Sequence, residues 1–239
     1  MVAIIGAGNA GQALGRCAKV VHSGPSLDRE QPGTRMDEIV IRAMQKWPDV
    51  PNVFGWLQLD RRGNWLLRAR AEGDGEPVFE RITNAAMCAF VGRNYDHDAA
   101  GRWFFQNGPQ RVFVTLDYTP LVYRLRGDAK SLETHTGEAP KEIRRAWIDD
   151  AGMLVFETEL GPGVLLDRDL STLLARIEVT GGAPASDESL EALAAGNNAG
   201  MAIRLGRRSI PLAPIARADV PAKLGFEPRP RPAPGEPAC

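Results

Sequence analysis

Residues 102–116 read Arg102-Trp103-Phe104-Phe105-Gln106-Asn107-Gly108-Pro109-Gln110-Arg111-Val112-Phe113-Val114-Thr115-Leu116, and their patterning decides the fold class. Two aromatic and β-branched arms flank a turn signal, Asn107-Gly108-Pro109-Gln110. In the second arm Val112, Val114 and Leu116 take one side, while Arg111, Phe113 and Thr115 take the other. Alternation with period two is what a pleated strand needs to bury one face. Leu121–Arg126 alternates in the same way, Leu121, Tyr123 and Leu125 against Val122, Arg124 and Arg126. A parallel sheet covered on both faces would read instead as continuous apolar runs. The expectation is an α+β fold, predominantly antiparallel, with a few short helices at the sheet edges or on one face.

Outward from this centre the same signals recur. Val53–Leu59 and Asn64–Arg70 flank Asp60-Arg61-Arg62-Gly63, and strands near Arg145–Ile148 and Met153–Thr158 flank Asp149-Asp150-Ala151-Gly152. Asp98-x-x-Gly101 precedes the first arm of the central hairpin. In each case the aspartate can accept from backbone N–H groups further on, and the glycine supplies positive φ. The recurrence fits two similar subdomains, 36–130 and 131–205, within a domain spanning 36–205. Helices are expected from Met36 to Trp47, ended by Pro48, from Asn84 to Asn94 with Thr83 as cap, around Asp169–Leu174, and over Asp187–Ala195 capped by Ser186. Short strands are expected near Val164–Leu166, Arg176–Val179, Ala202–Leu205 and Ser209–Leu212. Residues 206–239 form a C-terminal segment whose Pro- and Arg-rich end, Pro228–Cys239, reads as a disordered tail.

Residues 1–35 stand apart. Val2–Arg16 resembles the first strand and phosphate turn of a Rossmann dehydrogenase, with Gly6, Gly8 and Gly11 on the G-x-G-x-x-G positions. That fingerprint requires a complete βαβ unit. Here Gly15 interrupts the helix, and Ser23-Gly24-Pro25 stands where the second strand should be. The leader is therefore expected to be an extension outside the fold. A nicotinamide-dependent oxidoreductase using Gly6, Gly8 and Gly11 is kept as the alternative function.

Bulk properties exclude several classes. The chain has 239 residues and a formal net charge of −1, which argues against nucleic acid or an anionic membrane as partner. No apolar run approaches the roughly 20 residues of a membrane helix. Cys17, Cys88 and Cys239 form neither a disulfide framework nor a zinc pattern. With no export signal at the N-terminus, a cytoplasmic location is expected. No feature fixes an oligomeric state.

From Met36 to about Leu205 the chain resembles an uncharacterised family of proteobacterial proteins known only as a domain of unknown function. The resemblance rests on Lys46-Trp47-Pro48-Asp49-Val50-Pro51, on Gly55-Trp56-Leu57-x-Leu59-Asp60-x-Arg62-Gly63-Asn64-Trp65, and above all on Trp103–Val114. His135-Thr136-Gly137-Glu138 and Asp167-x-Asp169-Leu170 look similar too. It implies domain boundaries and a bacterial origin, and it brings no activity, cofactor or catalytic residue.

Candidate sites are few. Gln106, Asn107, Gln110 and Arg111 concentrate amide and guanidinium groups at the hairpin tip, chemistry suited to a small polar ligand or a peptide backbone. The same residues also suit an ordinary turn. His135 with Glu133 and Glu138 offers an acid/base set, against the reading of an exposed loop histidine. Asp96, His97 and Asp98 offer metal ligands, but consecutive residues in an extended segment point in alternating directions. No catalytic residue and no metal site are assigned. The expected function is non-catalytic binding, without cofactor, of a small molecule or protein through the hairpin tip.

Overall fold

The Asp-x-x-Gly turns shape the molecule locally, and they do so with one geometry. Aspartate Oδ1 accepts from the N–H groups two and four residues on, at 2.8 and 2.8 Å for Asp60, 3.0 and 3.0 Å for Asp98, and 3.0 and 2.8 Å for Asp149. Gly63, Gly101 and Gly152 sit at φ +80°, +73° and +77°. The backbone closes each turn, as in Asp60 N–H to Asn64 O at 3.1 Å and Gly63 N–H to Asp60 O at 3.0 Å. This is a type I turn followed by a left-handed residue, a common three-residue hairpin connection. A fourth copy uses threonine: Glu138 N–H donates to Thr134 Oγ1 at 3.0 Å, with Gly137 at φ +91°.

The computed structural model describes residues 36–47, 50–69, 77–179, 181–197 and 200–239. The glycine-rich leader with Gly6, Gly8 and Gly11 lies outside the described residues, as does Pro48. The chain divides into two units. Among the described residues, one takes those in 36–58, 65–115 and 229–239; the other takes those in 59–64 and 116–228. The turn repeat implies a boundary near 130 within a domain of 36–205; these units change over near 115 and again near 228.

In the first unit, helix α1 (Glu38–Lys46) precedes strands β1 (Val53–Leu59), β2 (Trp65–Arg68) and β3 (Phe79–Arg81). Helix α2 (Ala85–Arg93) leads into β4 (Tyr95–His97), β5 (Trp103–Asn107) and β6 (Gln110–Leu116). The sheet order is β3-β2-β1-β6-β5-β4. β2–β3, β4–β5 and β5–β6 pair antiparallel. β1 and β6 run parallel: the Gln110 side chain meets the Pro51 carbonyl, and seven residues on Asp117 N–H meets the Leu59 carbonyl. Val40 and Ala43 of α1 are buried, while Ile39 and Trp47 stay exposed. The α2 cap is Asn84, whose Oδ1 accepts from Met87 N–H at 3.0 Å, not Thr83. Leu57, Val91, Phe104, Phe105 and Phe113 are among the most deeply buried side chains of this unit.

The second unit holds β7 (Leu121–Leu125), β8 (Leu132–Thr134), β9 (Ile143–Asp149), β10 (Leu154–Thr158) and β11 (Gly161–Leu165). Helix α3 (Leu170–Leu174), β12 (Ile177–Glu178), α4 (Asp187–Ala194), β13 (Met201–Leu205), β14 (Arg208–Ile215) and α5 (Val220–Leu224) follow. Ser186 caps α4 as its sequence implies, accepting from Ser189 N–H at 3.2 Å. The sheet order is β12-β13-β14-β9-β10-β11-β7-β8, with β11–β7 and β14–β9 parallel.

The fold is α+β and mostly sheet, but both sheets are mixed, which corrects the predominantly antiparallel expectation. Alternation reports half-burial, not the direction of the neighbour. In β10 Leu154, Val155 and Phe156 are all buried, so both faces are covered there. Gly163 makes the β11–β7 pairing possible: a Cβ at that position would stand 2.5 Å from the Tyr123 ring and 2.8 Å from the Leu121 carbonyl.

The C-terminal end is a second correction. Residues 229–239 belong to the first unit. Asn52 N–H donates to Pro237 O at 3.0 Å, and Cys239 N–H donates to Asn52 O at 2.8 Å, giving a parallel bridge between Asn52 and Ala238. The segment expected to be a disordered tail is thus pinned beside β1.

Candidate functional site

The hairpin tip is built by β5 and β6. Gly108 takes φ +60° at the first central position and Pro109 follows, the arrangement of a type II′ turn. Register pairs Gln106 with Arg111 and Asn107 with Gln110. Directly paired residues share a face and successive residues alternate. The four sequence candidates therefore form two pairs on opposite faces of the sheet, not one cluster.

On one face Gln110 serves local structure. Gln110 Nε2 donates to the Pro51 carbonyl at 2.9 Å. Asn107 Oδ1 is buried and accepts no hydrogen bond. On the other face Gln106 is 1% exposed, and its Nε2 donates to the Gly108 carbonyl at 2.9 Å. That bond fixes the orientation of the amide, since reversal would set oxygen against oxygen. Gln106 Oε1 is left buried with no donor. Buried polar atoms lacking a partner are uncommon in folded proteins. The cross-strand neighbour Arg111 does not supply one; its guanidinium lies 4.4 Å above the Phe104 ring and makes no ion pair with a described residue. This face thus holds an oriented carbonyl acceptor beside a planar group with several N–H donors.

The other sequence candidates come apart. Glu133 is bound to Arg124 at 2.7 Å, and Glu138 closes the Thr134 turn. His135 is not an exposed loop residue. Its N–H donates to Val122 O at 2.7 Å, its Nδ1 accepts from Val122 N–H at 3.3 Å, and its Nε2 is buried although part of the residue keeps some exposure. Burial above all, and then the Arg124 charge, push its pKa down to about 3, against a smaller opposing pull from Asp60. The imidazole is neutral and structural at ordinary pH, and it is not poised for acid–base work.

Asp96 accepts from His97 N–H, and Asp98 holds its turn. Among the described residues no group of three or more His, Cys, Asp or Glu side chains can hold a metal ion. Nor, among these residues, is any helix long and apolar enough to cross a membrane.

Sequence reasoning missed the contacts that join distant segments. Arg102 Nη1 meets Glu236 Oε2 at 2.7 Å, its Nε meets Asp98 at 2.8 Å, and its guanidinium lies 4.6 Å over Phe113. In the other unit the Tyr118 hydroxyl donates to buried Asp149 at 2.8 Å, with the Arg217 guanidinium 4.4 Å above the Tyr118 ring. Burial raises the Tyr118 pKa, and the hydrogen bond to Asp149 raises it further. Of these only the Arg102–Asp98 pair lies within reach along the sequence; the Arg102–Glu236, Tyr118–Asp149 and Arg217–Tyr118 contacts join residues 31 to 134 positions apart.

Comparison with known families matches residues 36–231 to a family described as "Protein of unknown function (DUF2946)". No curated protein matches the chain. Among solved structures, a DUF1285 family protein from Silicibacter pomeroyi is similar at 17% identity and a TM-score of 0.42, covering 68% of this chain and 82% of that one. The glycine turn at Gly6, Gly8 and Gly11 lies outside the family match.

Proposed function

We propose that this chain, which belongs to the DUF2946 family of proteins of unknown function, is a non-catalytic binding protein that takes a small polar ligand at the Gln106–Arg111 pair. The observation that carries the reading is the oriented, buried Oε1 of Gln106 with no donor. Leaving such an acceptor unpaired costs about 1–3 kcal/mol. A chain keeps that cost where it serves recognition. Arg111 is the moving part: a long, half-buried side chain that lifts from Phe104 and presents donors to an oxygen of the ligand. The ligand class that fits carries an N–H donor and, a few ångströms away, a carboxylate or carbonyl oxygen. Free amino acids and small amides have this pattern.

The test is a thermal-shift panel of amino acids, amides and guanidino compounds against wild type, Gln106→Met and Arg111→Met. The expected result is that some compound raises the melting temperature of wild type and not of either variant. Equal shifts in all three proteins, or none in any, would remove the proposal.

A further inference from the structure

We infer a second binding site, for an oxyanion, around Trp147 in the other unit. Trp147 lies on β9 and is 7% exposed, yet its indole Nε1–H is buried with no acceptor. Indole nitrogen is a donor only, so its missing partner must be an acceptor atom. Two cations lie over the same ring. The Arg145 guanidinium is 5.3 Å from its centroid and Lys223 Nζ is 5.7 Å away. Arg145 stands two positions earlier on the same strand, hence on the same face. Lys223 arrives from α5. Neither cation makes an ion pair with a described residue, and both side chains belong to exposed residues.

A buried N–H on a ring overlaid by two cations that pair with no described carboxylate is complementary to an anionic oxygen, which accepts from the indole and draws both charges toward itself. Cation–π contact is then the resting position of two flexible side chains that lift to admit the ligand. The class is a small oxyanion, a phosphate or a carboxylate. Glu157, the register partner of Arg145 on β10, is the opposing charge on this face. It sets a limit on affinity, and its neutralisation should strengthen binding.

The experiment uses the ¹⁵N-labelled full-length protein titrated with inorganic phosphate, following the indole N–H resonances, with sodium chloride at matched ionic strength as control and acetate as the carboxylate arm. Trp147→Phe identifies the resonance. It should move saturably with phosphate or acetate and stay still in chloride. Arg145→Gln and Lys223→Gln, both at exposed positions, should each weaken binding by about three- to ten-fold, and Glu157→Gln should tighten it. A larger response to phosphate identifies a phosphate-type ligand, and a larger response to acetate a carboxylate. If the Trp147 resonance stays fixed, follows ionic strength alone, or responds in both cation variants just as in wild type, there is no such site. Should Trp147→Phe fail to fold, the two cation variants still decide the matter, because the affected resonance must titrate about three- to ten-fold more weakly in each of them.

Discussion

Gly63 and Gly152 occupy the same position of the same turn, yet they are not equivalent. Both have positive φ, +80° and +77°, which costs a residue with a Cβ about 1–2 kcal/mol. At Gly152 an added Cβ meets nothing within 4 Å, whereas at Gly63 it would stand 2.6 Å from the His135 Cβ. Gly152→Ala should therefore cost about 1–2 kcal/mol in urea denaturation. Gly63→Ala should cost about 1–3 kcal/mol more, because His135 is fixed on both sides by Val122. The same histidine sets a pH dependence. Its folded pKa, about 3, lies below its ordinary 6.5. Between those values the unfolded chain binds a proton that the folded chain refuses, so stability falls as pH drops through that window and is complete above it. Replacing His135 by Asn should flatten this slope when stability is followed against pH, and an unchanged slope would show that other groups carry it.

The elements legible in the sequence are those held by neighbours along the chain. β1, β5, β6 and β7 fall where alternation placed them, within a residue or two, and the three aspartate turns have the bonding their spacing implies. Strands of three residues such as β4 and β8 carry too little pattern to be seen. The parallel pairs β11–β7 and β14–β9 were illegible because period-two burial is the same whichever way the next strand runs. The C-terminal strap was misread for a related reason. Its proline-rich composition resembles disorder, but its hold depends on Glu236 meeting Arg102, 134 residues away in sequence. That pair is mostly buried, with side chains 17% and 16% exposed. The hydrogen bond from Arg102 is the main cause holding the Glu236 carboxyl below its ordinary range. Glu236→Gln should cost about 1–3 kcal/mol and open the strap to carboxypeptidase, and acidification below the normal glutamate range should do likewise in wild type. A variant with wild-type stability and protease resistance would assign the strap's hold to the Asn52 backbone bonds alone.

At the scale of the whole molecule, the first unit is assembled from three separate stretches and closes only with residues 229–239. Stopping the chain after Pro228 should raise amide exchange along β1, β5 and β6 while β9, β10 and β11 keep their protection. Uniform loosening of both units would contradict this division. The candidate site was partly legible at this scale too. Register follows from the hairpin, so the pairing of Gln106 with Arg111 on one face was available from period two. The unpaired oxygen was not, since it depends on where the Gly108 carbonyl turns and on Arg111 choosing Phe104 over Gln106. If Gln106 is kept for recognition, it adds nothing to folding. The most direct test of this needs no ligand: the unfolding free energy of Gln106→Met in urea. Losing the bond to Gly108 and removing the unpaired carbonyl have opposite signs and similar size. The variant is therefore predicted to lie within about 0.5 kcal/mol of wild type, and a loss of about 2 kcal/mol or more would contradict the claim.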